Sequence, residues 1–478
     1  VTTYYVSPSG SNSVNDGLTS ATPWRTLNHA IGGSRMVPGD LLNVMAGTYE
    51  QDTLTVEASG TAALPIRIVG AAGAIIHCTG RDGFYIARNV DTQNATAYLS
   101  FENLEVYGAT RAGFMCTWGS NHISILNCHV HHCGTWACMI DASDYAIVND
   151  CHLHDVPGQH GIYFSIADYG TARRNRIHDC TRCGIHVNGD QAESPVRDGL
   201  VTGATIQFNE IYRCGATGGG AINMSGVVDS TITDNNIHDN FNQFGMTLFK
   251  NSALESGSKR NQILRNTIHF APGTGRGGIQ MIADSIDNVV MYNRVTAGDG
   301  PALYIGTTAL AQNTFDYNDW CKETGEPVMI YQGSGQPELW KTLAEWQALS
   351  GQDAHSTSCV AVPPPPPPPT FDAWELIIDN TAAAFSSLPP NKWTTLPGGY
   401  GTNFRYAPAV ATAATRMARW AFTVPAMGRY AISVYYKAHT DRTTTAPYAV
   451  RNAAGCIIAT VPVNQQENGL TWVDLGTF

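Results

Sequence analysis

From about residue 98 to residue 333 the chain repeats one phrase with variations: a short β-rich run, Asn-x-Ile-His, a turn, then Gly-Ile-x-Val. It reads as RRNRIHDCTRCGIHVNG over 173–189, TDNNIHDNFNQFGMTLFKN over 233–251 and LRNTIHFAPGTGRGGIQMIAD over 264–284. The period is roughly 23–34 residues, with the excess between strands, as coil-on-coil stacking requires. Apolar side chains alternate along each short strand, so a lone unit cannot bury its inner face. Stacked units share one continuous core. The pattern predicts an all-β solenoid.

A chain of 478 residues has room for two or three domains. Its net charge of -11 argues against nucleic acid, because phosphate binding needs a basic face. No stretch approaches the length of apolar sequence that a membrane span needs. The chain starts at Val1 rather than Met, which fits a secreted or periplasmic protein whose export segment has been removed. Twelve cysteines do not follow zinc-finger spacing. Cys128 and Cys151 share one repeat slot; Cys133, Cys180 and Cys214 share another. Coils about 4.8 Å apart fall within disulfide reach, yet free stacked thiols are the plainer expectation. Cys321–Cys359 is a separate candidate pair.

Residues 1–50 read as an entry cap with a short helix over 24–32, and 337–351 as an amphipathic helix closing the far end. Covering an open β end blocks edge-to-edge pairing. Seven prolines at 363–369 mark the clearest boundary, an extended spacer. The expected organisation is a β-helix domain over 1–362, a linker over 363–370, and a β-sandwich over 371–478, where alternating strands such as RWAFTVPAMGRYAISVYYKA replace the repeat.

The repeats together with YYVSPSGSNSVNDG, PWRTLNHAI, VPGD and GTY resemble the right-handed parallel β-helix proteins of the pectate-lyase-like superfamily. The tail, with GYGTNFRYA and NQQENGLTWVDLGTF, is similar to the C-terminal module of golvesin and xanthan-lyase-type proteins. The resemblance implies a secreted, monomeric, carbohydrate-active protein acting on a polysaccharide. That superfamily includes lyases, hydrolases, epimerases and inert adhesins, so chemistry must be argued from the site.

A slot that recurs on every coil is most simply structural. The ring slot Tyr107, His131, His154, His178, Tyr212, His238, His269 and the amide slot Asn175, Asn209, Asn235, Asn266, Asn293 are assigned to structure, ahead of a metal-binding reading of the histidines. The strand after the turn changes from coil to coil. Its first outward slot reads Met115, Met139, Tyr163, His186, Asn223, Thr247, Gln280, Tyr304; its next reads Thr117, Asp141, Ser165, Asn188, Ser225, Phe249, with Trp118 and Lys250 one step further. Inserts at 190–203 and 252–261 are expected to wall a groove along this face.

β-Elimination on a uronate needs a group facing the carboxylate, a base and an acid. Asn188, Asn223 and Gln280 suit the first, with Arg276, Tyr304 and Trp118 as further substrate contacts. His186 or Lys250 suits the base and Tyr163 the acid. The resemblance implies a strand-borne lysine base assisted by calcium, which points at Lys250 and leaves Ca²⁺ open, although no cluster of carboxylates is evident to cage it. A hydrolase needs two carboxyls on the face, for which Asp141, Asp168 and Asp190 are the candidates. A non-catalytic glycan-binding scaffold is the third reading. Arg173, Arg174, Arg197, Lys250, Arg265 and Arg276 would have to attract an anionic substrate against the overall charge. In the tail, Trp393, Tyr400, Tyr406, Trp420, Tyr435 and Tyr436 could stack on sugar, though core positions suit most of them better.

Overall fold

The computed structural model describes residues 1–359 apart from 34, 88–94, 191–196, 251–255 and 323, and in the C-terminal part 385–388, 393–397, 403–406, 417–423, 431–451, 457–467 and 472–477. The polyproline run lies outside the described residues. The chain divides into two compact units, Val1–Val362 and Pro363–Phe478.

Each coil of the first unit contributes one strand to each of three sheets. Sheet 1 has twelve strands, from Thr3–Val6 to Thr314–Asp316; sheet 2 has eleven, from Gly47–Gln51 to Asp319–Lys322. Sheet 3 runs from Leu54–Val56 to Val328–Tyr331 and adds Leu339–Lys341 as its twelfth strand. All pairings between successive coils are parallel; Leu339–Lys341 alone joins antiparallel. This is a parallel β-helix, its core a stack of like residues such as Phe84 on Phe114 at 4.9 Å.

The bend from sheet 1 to sheet 2 takes two residues. The first adopts the left-handed conformation: Asn103, Asn127, Asp150, Arg174, Phe208, Asp234, Arg265, Tyr292 and Tyr317 all have φ between 50° and 60°. Asn and Asp enter that region at little cost; the arginines and aromatics do so against their preference. The second bend residue offsets this. From Asn175 onward it is asparagine, through Asn209, Asn235, Asn266, Asn293 and Asn318. From Asn209 on, each Oδ1 accepts the backbone N–H and the Nδ2–H of the asparagine one coil earlier, as Asn235 does from Asn209 at 3.0 and 2.9 Å, while Asn175 accepts the Cys151 N–H. Each Nδ2 also donates to a carbonyl, Ile206 in this case, at 3.0 Å. The amide slot is thus a closed hydrogen-bond ladder inside the bend, and Cys128 and Cys151 occupy its continuation.

The ring slot stacks face to face on sheet 2: Tyr107–His131 at 5.2 Å, His131–His154 at 5.1 Å, His154–His178 at 4.8 Å. Nine coil cysteines are free and buried, while Cys321 and Cys359 form a disulfide with a Cα–Cα distance of 4.3 Å. The entry helix is Leu27–Ile31, packed on Leu54–Val56. At the far end the expected helix is shorter: 339–341 is strand, and the helix is Leu343–Ser350. Thr342 forms a capping box with Glu345 and starts the helix there. Trp346 beneath it is fully buried and donates to Asp353 at 2.6 Å.

The second unit is all-β among its described residues, with four antiparallel pairs: Phe385–Leu388 with Met417–Trp420, Thr394–Pro397 with Asn403–Tyr406, Ala431–Tyr435 with Trp472–Thr477, and Ala446–Arg451 with Ile457–Val463. Trp420 is exposed and tilts on Phe385 at 5.2 Å, and the Tyr436 hydroxyl donates to backbone carbonyls. Tyr400 lies outside the described residues.

Removing one rung of the amide ladder strands polar groups on two coils. Asn235→Ala is expected to lower stability by about 2–4 kcal/mol, read as a fall in the denaturation midpoint; an unchanged midpoint would show the ladder to be dispensable.

Candidate functional site

The outward row of sheet 3 has the register expected of it. Met115, Met139, Tyr163, His186, Asn223, Thr247, Gln280 and Tyr304 are successive register partners. Asp141, Ser165, Asn188, Ser225 and Phe249 form the second row. Between them point Ile162, Phe164, Ile185 and Val187, all fully buried in the core. Strand alternation therefore sets the side chains of the row on one face.

The upper end is apolar, where Met115 and Met139 pack with Tyr85, Trp136 and Tyr163. The centre is polar. The Tyr163 ring stacks on His186 at 4.7 Å, nearly parallel. Burial pushes its hydroxyl up to about 12, with Asp141 and Asp190 adding to the rise and Ser165 and Asn188 opposing it. Asp141 accepts a hydrogen bond from the Thr117 hydroxyl at 3.3 Å, and burial raises its carboxyl above the ordinary value. Ser165 lies two residues along the strand from Tyr163 and is the register partner of Asp141, so the three polar groups share this part of the face.

His160, which sequence reading did not single out, sits behind His186. Its Nδ1 accepts the Cys183 backbone N–H at 3.2 Å, and its Nε2 lies 3.1 Å from His186 Nδ1. A neutral ring carries one proton. With Nδ1 accepting, His160 bears its proton on Nε2 and donates it to His186 Nδ1. His186 would then carry its own on Nε2, which lies 3.4 Å from Asn223 Nδ2, itself a donor that asks for a bare nitrogen there. Burial, and the Arg182 charge after it, hold His186 down to about 4, and burial with its cationic neighbours holds His160 at about 2. His186 is therefore neutral, and its contacts with His160 and Asn223 ask for opposite tautomers of the ring.

Other candidates sit differently from their expected places. Lys250 lies past the strand end and pairs with Asp284 at 3.9 Å, while Lys259 holds the same carboxylate at 3.0 Å. Asp168 is not opposite Asp141, whose register partner is Ser165; its backbone N–H bonds Asp144 and its Oδ1 accepts the Thr202 N–H at 2.7 Å. Among the expected basic residues, Arg173 is on sheet 1, and Arg174 and Arg265 occupy its bends, paired with Asp150 and Asp234. Arg197 pairs with Asp144 at 2.7 Å. Arg276 lies over the Phe244 ring at 5.2 Å, and Tyr304 meets the same ring edge-on at 5.6 Å, closing the lower end of the row. Parts of both expected walls, 191–196 and 251–255, lie outside the described residues.

Among the described residues, three sets of side chains bring potential metal-ligand atoms within 4.8 Å of one another: His160/Cys183/His186 here, and Glu105/His129/His131 and His129/His152/His154 on sheet 2. Calcium takes six to eight oxygens. None of these sets is all-oxygen, and Asp284 beside Lys250 is occupied by two lysines, so these residues do not fit the ion. In the sheet 3 set, burial pushes the Cys183 thiol up to about 12, which disfavours the thiolate a soft metal needs.

A stack of three-stranded coils bearing a variable polar row on one face is a parallel β-helix protein. Residues 66–204 and 195–339 match the family described as right handed beta helix region, and the chain belongs to that family. Residues 376–478 match the golvesin C-terminal domain. No curated protein sequence matches the chain. Among solved structures it is similar to the A-module of the mannuronan C-5 epimerase AlgE4 of Azotobacter vinelandii, with 13% identity, 67% of this chain and 91% of that one covered, and a TM-score of 0.47. It is also similar to an alginate lyase of Paenibacillus sp. str. FPU-7, with 16% identity, 70% and 92% coverage and a TM-score of 0.38. The GH136 lacto-N-biosidase of Eubacterium ramulus has 14% identity, 69% and 68% coverage and a TM-score of 0.39. No described helix is long and apolar enough to cross a membrane.

The two depressed histidines give a pH dependence with a definite sign. An unfolded histidine takes up a proton near pH 6.5; in the fold His186 refuses it until about 4 and His160 until about 2. The unfolded chain thus binds more protons in that window, and stability falls as pH drops from about 6.5 toward 4. The denaturation midpoint should fall between pH 7 and pH 5, and fall less in His186→Gln; an equal fall would place the acid sensitivity elsewhere.

Proposed function

We propose that this chain is an extracellular polysaccharide lyase that cleaves a uronate-containing polymer by β-elimination along the outer row of sheet 3. The observation that carries the reading is the Tyr163–His186 stack, with the Ser165 hydroxyl and the raised Asp141 carboxyl on the adjoining second row. In this reading the Tyr163 oxygen takes the C5 proton as its own proton passes through Ser165 to Asp141. A carboxyl already raised by burial accepts a proton more readily than an ordinary one. The proton then returns along the same path to the departing glycosidic oxygen, so elimination consumes no water.

His186 takes the electrophilic role rather than the base role. A neutral imidazole N–H can polarise a carboxylate or carbonyl as negative charge builds on it. Asn188 and Asn223 flank that position and supply further N–H donors. No step calls on Lys250 or on calcium. The apolar end at Tyr85, Met115 and Met139 and the Tyr304–Phe244 end would hold flanking sugars, whose faces stack on such surfaces.

Asp141 also favours a second reading, glycoside hydrolysis, since a raised carboxyl is what a general acid needs. Asp190, whose charge reaches Tyr163, is the better second carboxyl than Asp168. A panel of acidic and neutral polysaccharides separates the two. Elimination yields an unsaturated uronate that absorbs in the ultraviolet, and hydrolysis yields reducing ends without it.

In an active preparation, Tyr163→Phe and Asp141→Asn are each expected to lower kcat about 10²–10⁴-fold, and His186→Ala somewhat less. Retention of wild-type turnover by Tyr163→Phe would remove it from the chemistry.

A further inference from the structure

The histidines of sheet 2 do more than stack. His129 and His152 are register partners in one slot, and His131, His154 and His178 in the next. Within a slot the rings lie face to face, His129 on His152 at 4.8 Å. Between slots they meet nitrogen to nitrogen on the diagonal: His129 Nε2 to His154 Nε2 at 2.7 Å, and His152 Nε2 to His178 Nε2 at 2.8 Å. A ladder held only by ring packing has no need of converging nitrogens.

The neighbouring carboxylates fix the tautomers. His154 Nδ1 lies 2.7 Å from Asp155 Oδ2, and His178 Nδ1 lies 2.6 Å from Asp179 Oδ2. A carboxylate only accepts, so His154 Nδ1 carries the proton and its Nε2 presents a bare lone pair to His129, whereas His178 Nδ1 also has the Arg213 guanidinium at 3.2 Å. A carboxylate behind the distal nitrogen of an imidazole is the usual support of a metal-bound histidine.

We propose that His129, His152 and His154 form a three-imidazole site for a divalent transition ion of zinc's class, clipping one coil to the next. Their ligand nitrogens lie within 4.8 Å of one another. Zinc–nitrogen bonds of about 2.0–2.1 Å require a separation near 3.4 Å in a tetrahedral site, which small ring rotations supply. Three neutral nitrogen donors suit zinc, copper or nickel and not calcium. Binding needs no proton release from His154, and His129 and His152 need only shift their proton to Nδ1. All three rings are half-buried at the surface of sheet 2, so solvent reaches the fourth position. The overlapping Glu105/His129/His131 set is the weaker choice, because His131 Nδ1 lies against His132 Nδ1 at 2.7 Å and its Nε2 faces Glu105 at 3.3 Å. The site lies on a different sheet from the Tyr163 row and stands whether or not the chain is a lyase.

The test uses the untagged full chain and zinc chloride. Titration calorimetry at neutral pH should give one ion per chain, with a zinc-dependent rise in Tm. Both should disappear in His152→Gln and His154→Gln, and Asp155→Asn should bind about 10–100-fold more weakly. His439→Gln, in the second unit, should bind as the wild type does. Should the variants fail to fold, diethyl pyrocarbonate labelling of the wild type decides: zinc should protect His129, His152 and His154. No binding, binding unchanged in the variants, or protection confined to other histidines each overturns the proposal.

Discussion

Every feature of the first unit depends on the hydrogen bonds that join each coil to the next. In a parallel stack, a backbone group left without its partner above or below is buried with no water to replace it. The sharp bend between sheets 1 and 2 is where that danger is greatest, because the strands end and a left-handed residue turns the chain. The asparagine ladder answers it by giving the amide a backbone N–H, an amide N–H and a carbonyl as partners on adjoining coils. The same regularity that satisfies the bend fixes the register of sheet 3 one coil after another.

Fixed register is what makes a row of unlike side chains usable. Inward positions are constrained by the shared core, whereas outward ones on sheet 3 vary without penalty to the stack. Tyr163, His186 and Asn223 come from three successive coils and are held at strand spacing by backbone, not by loops. Such a scaffold positions a reacting pair without requiring the chain to close around it. His160, from the strand just before, sits at hydrogen-bond distance behind His186, so the row is supported by a buried ring as well as by backbone.

Alternation and the glycine-aligned turns made the fold and the outward row readable from sequence, since period-two placement survives any loop length. Four things were not readable. Lys250 and Asp168 fall beyond the last paired residue of their strands, where counting positions ceases to predict direction. His160 reads as the first residue of a strand and reveals itself only through Cys183 and His186. His129 and His152 lie two residues before the ring slot, and the diagonal meeting of their nitrogens with the neighbouring ladder depends on side-chain rotation rather than spacing. The strand at 339–341 was hidden by a helix-like composition that Thr342 and Glu345 cut short.

Linear arrays fray from their ends, because a terminal repeat has one neighbour instead of two. Here the Cys321–Cys359 bridge ties the segment following the capping helix to the last strand of sheet 2, while the opening coil is covered by a five-residue helix. Unravelling in an oxidising medium therefore has a preferred direction, starting at the amino-terminal end and travelling toward the bridge. Under reduction the far end keeps its helix and the buried Trp346 but loses the covalent tie, and that preference should weaken.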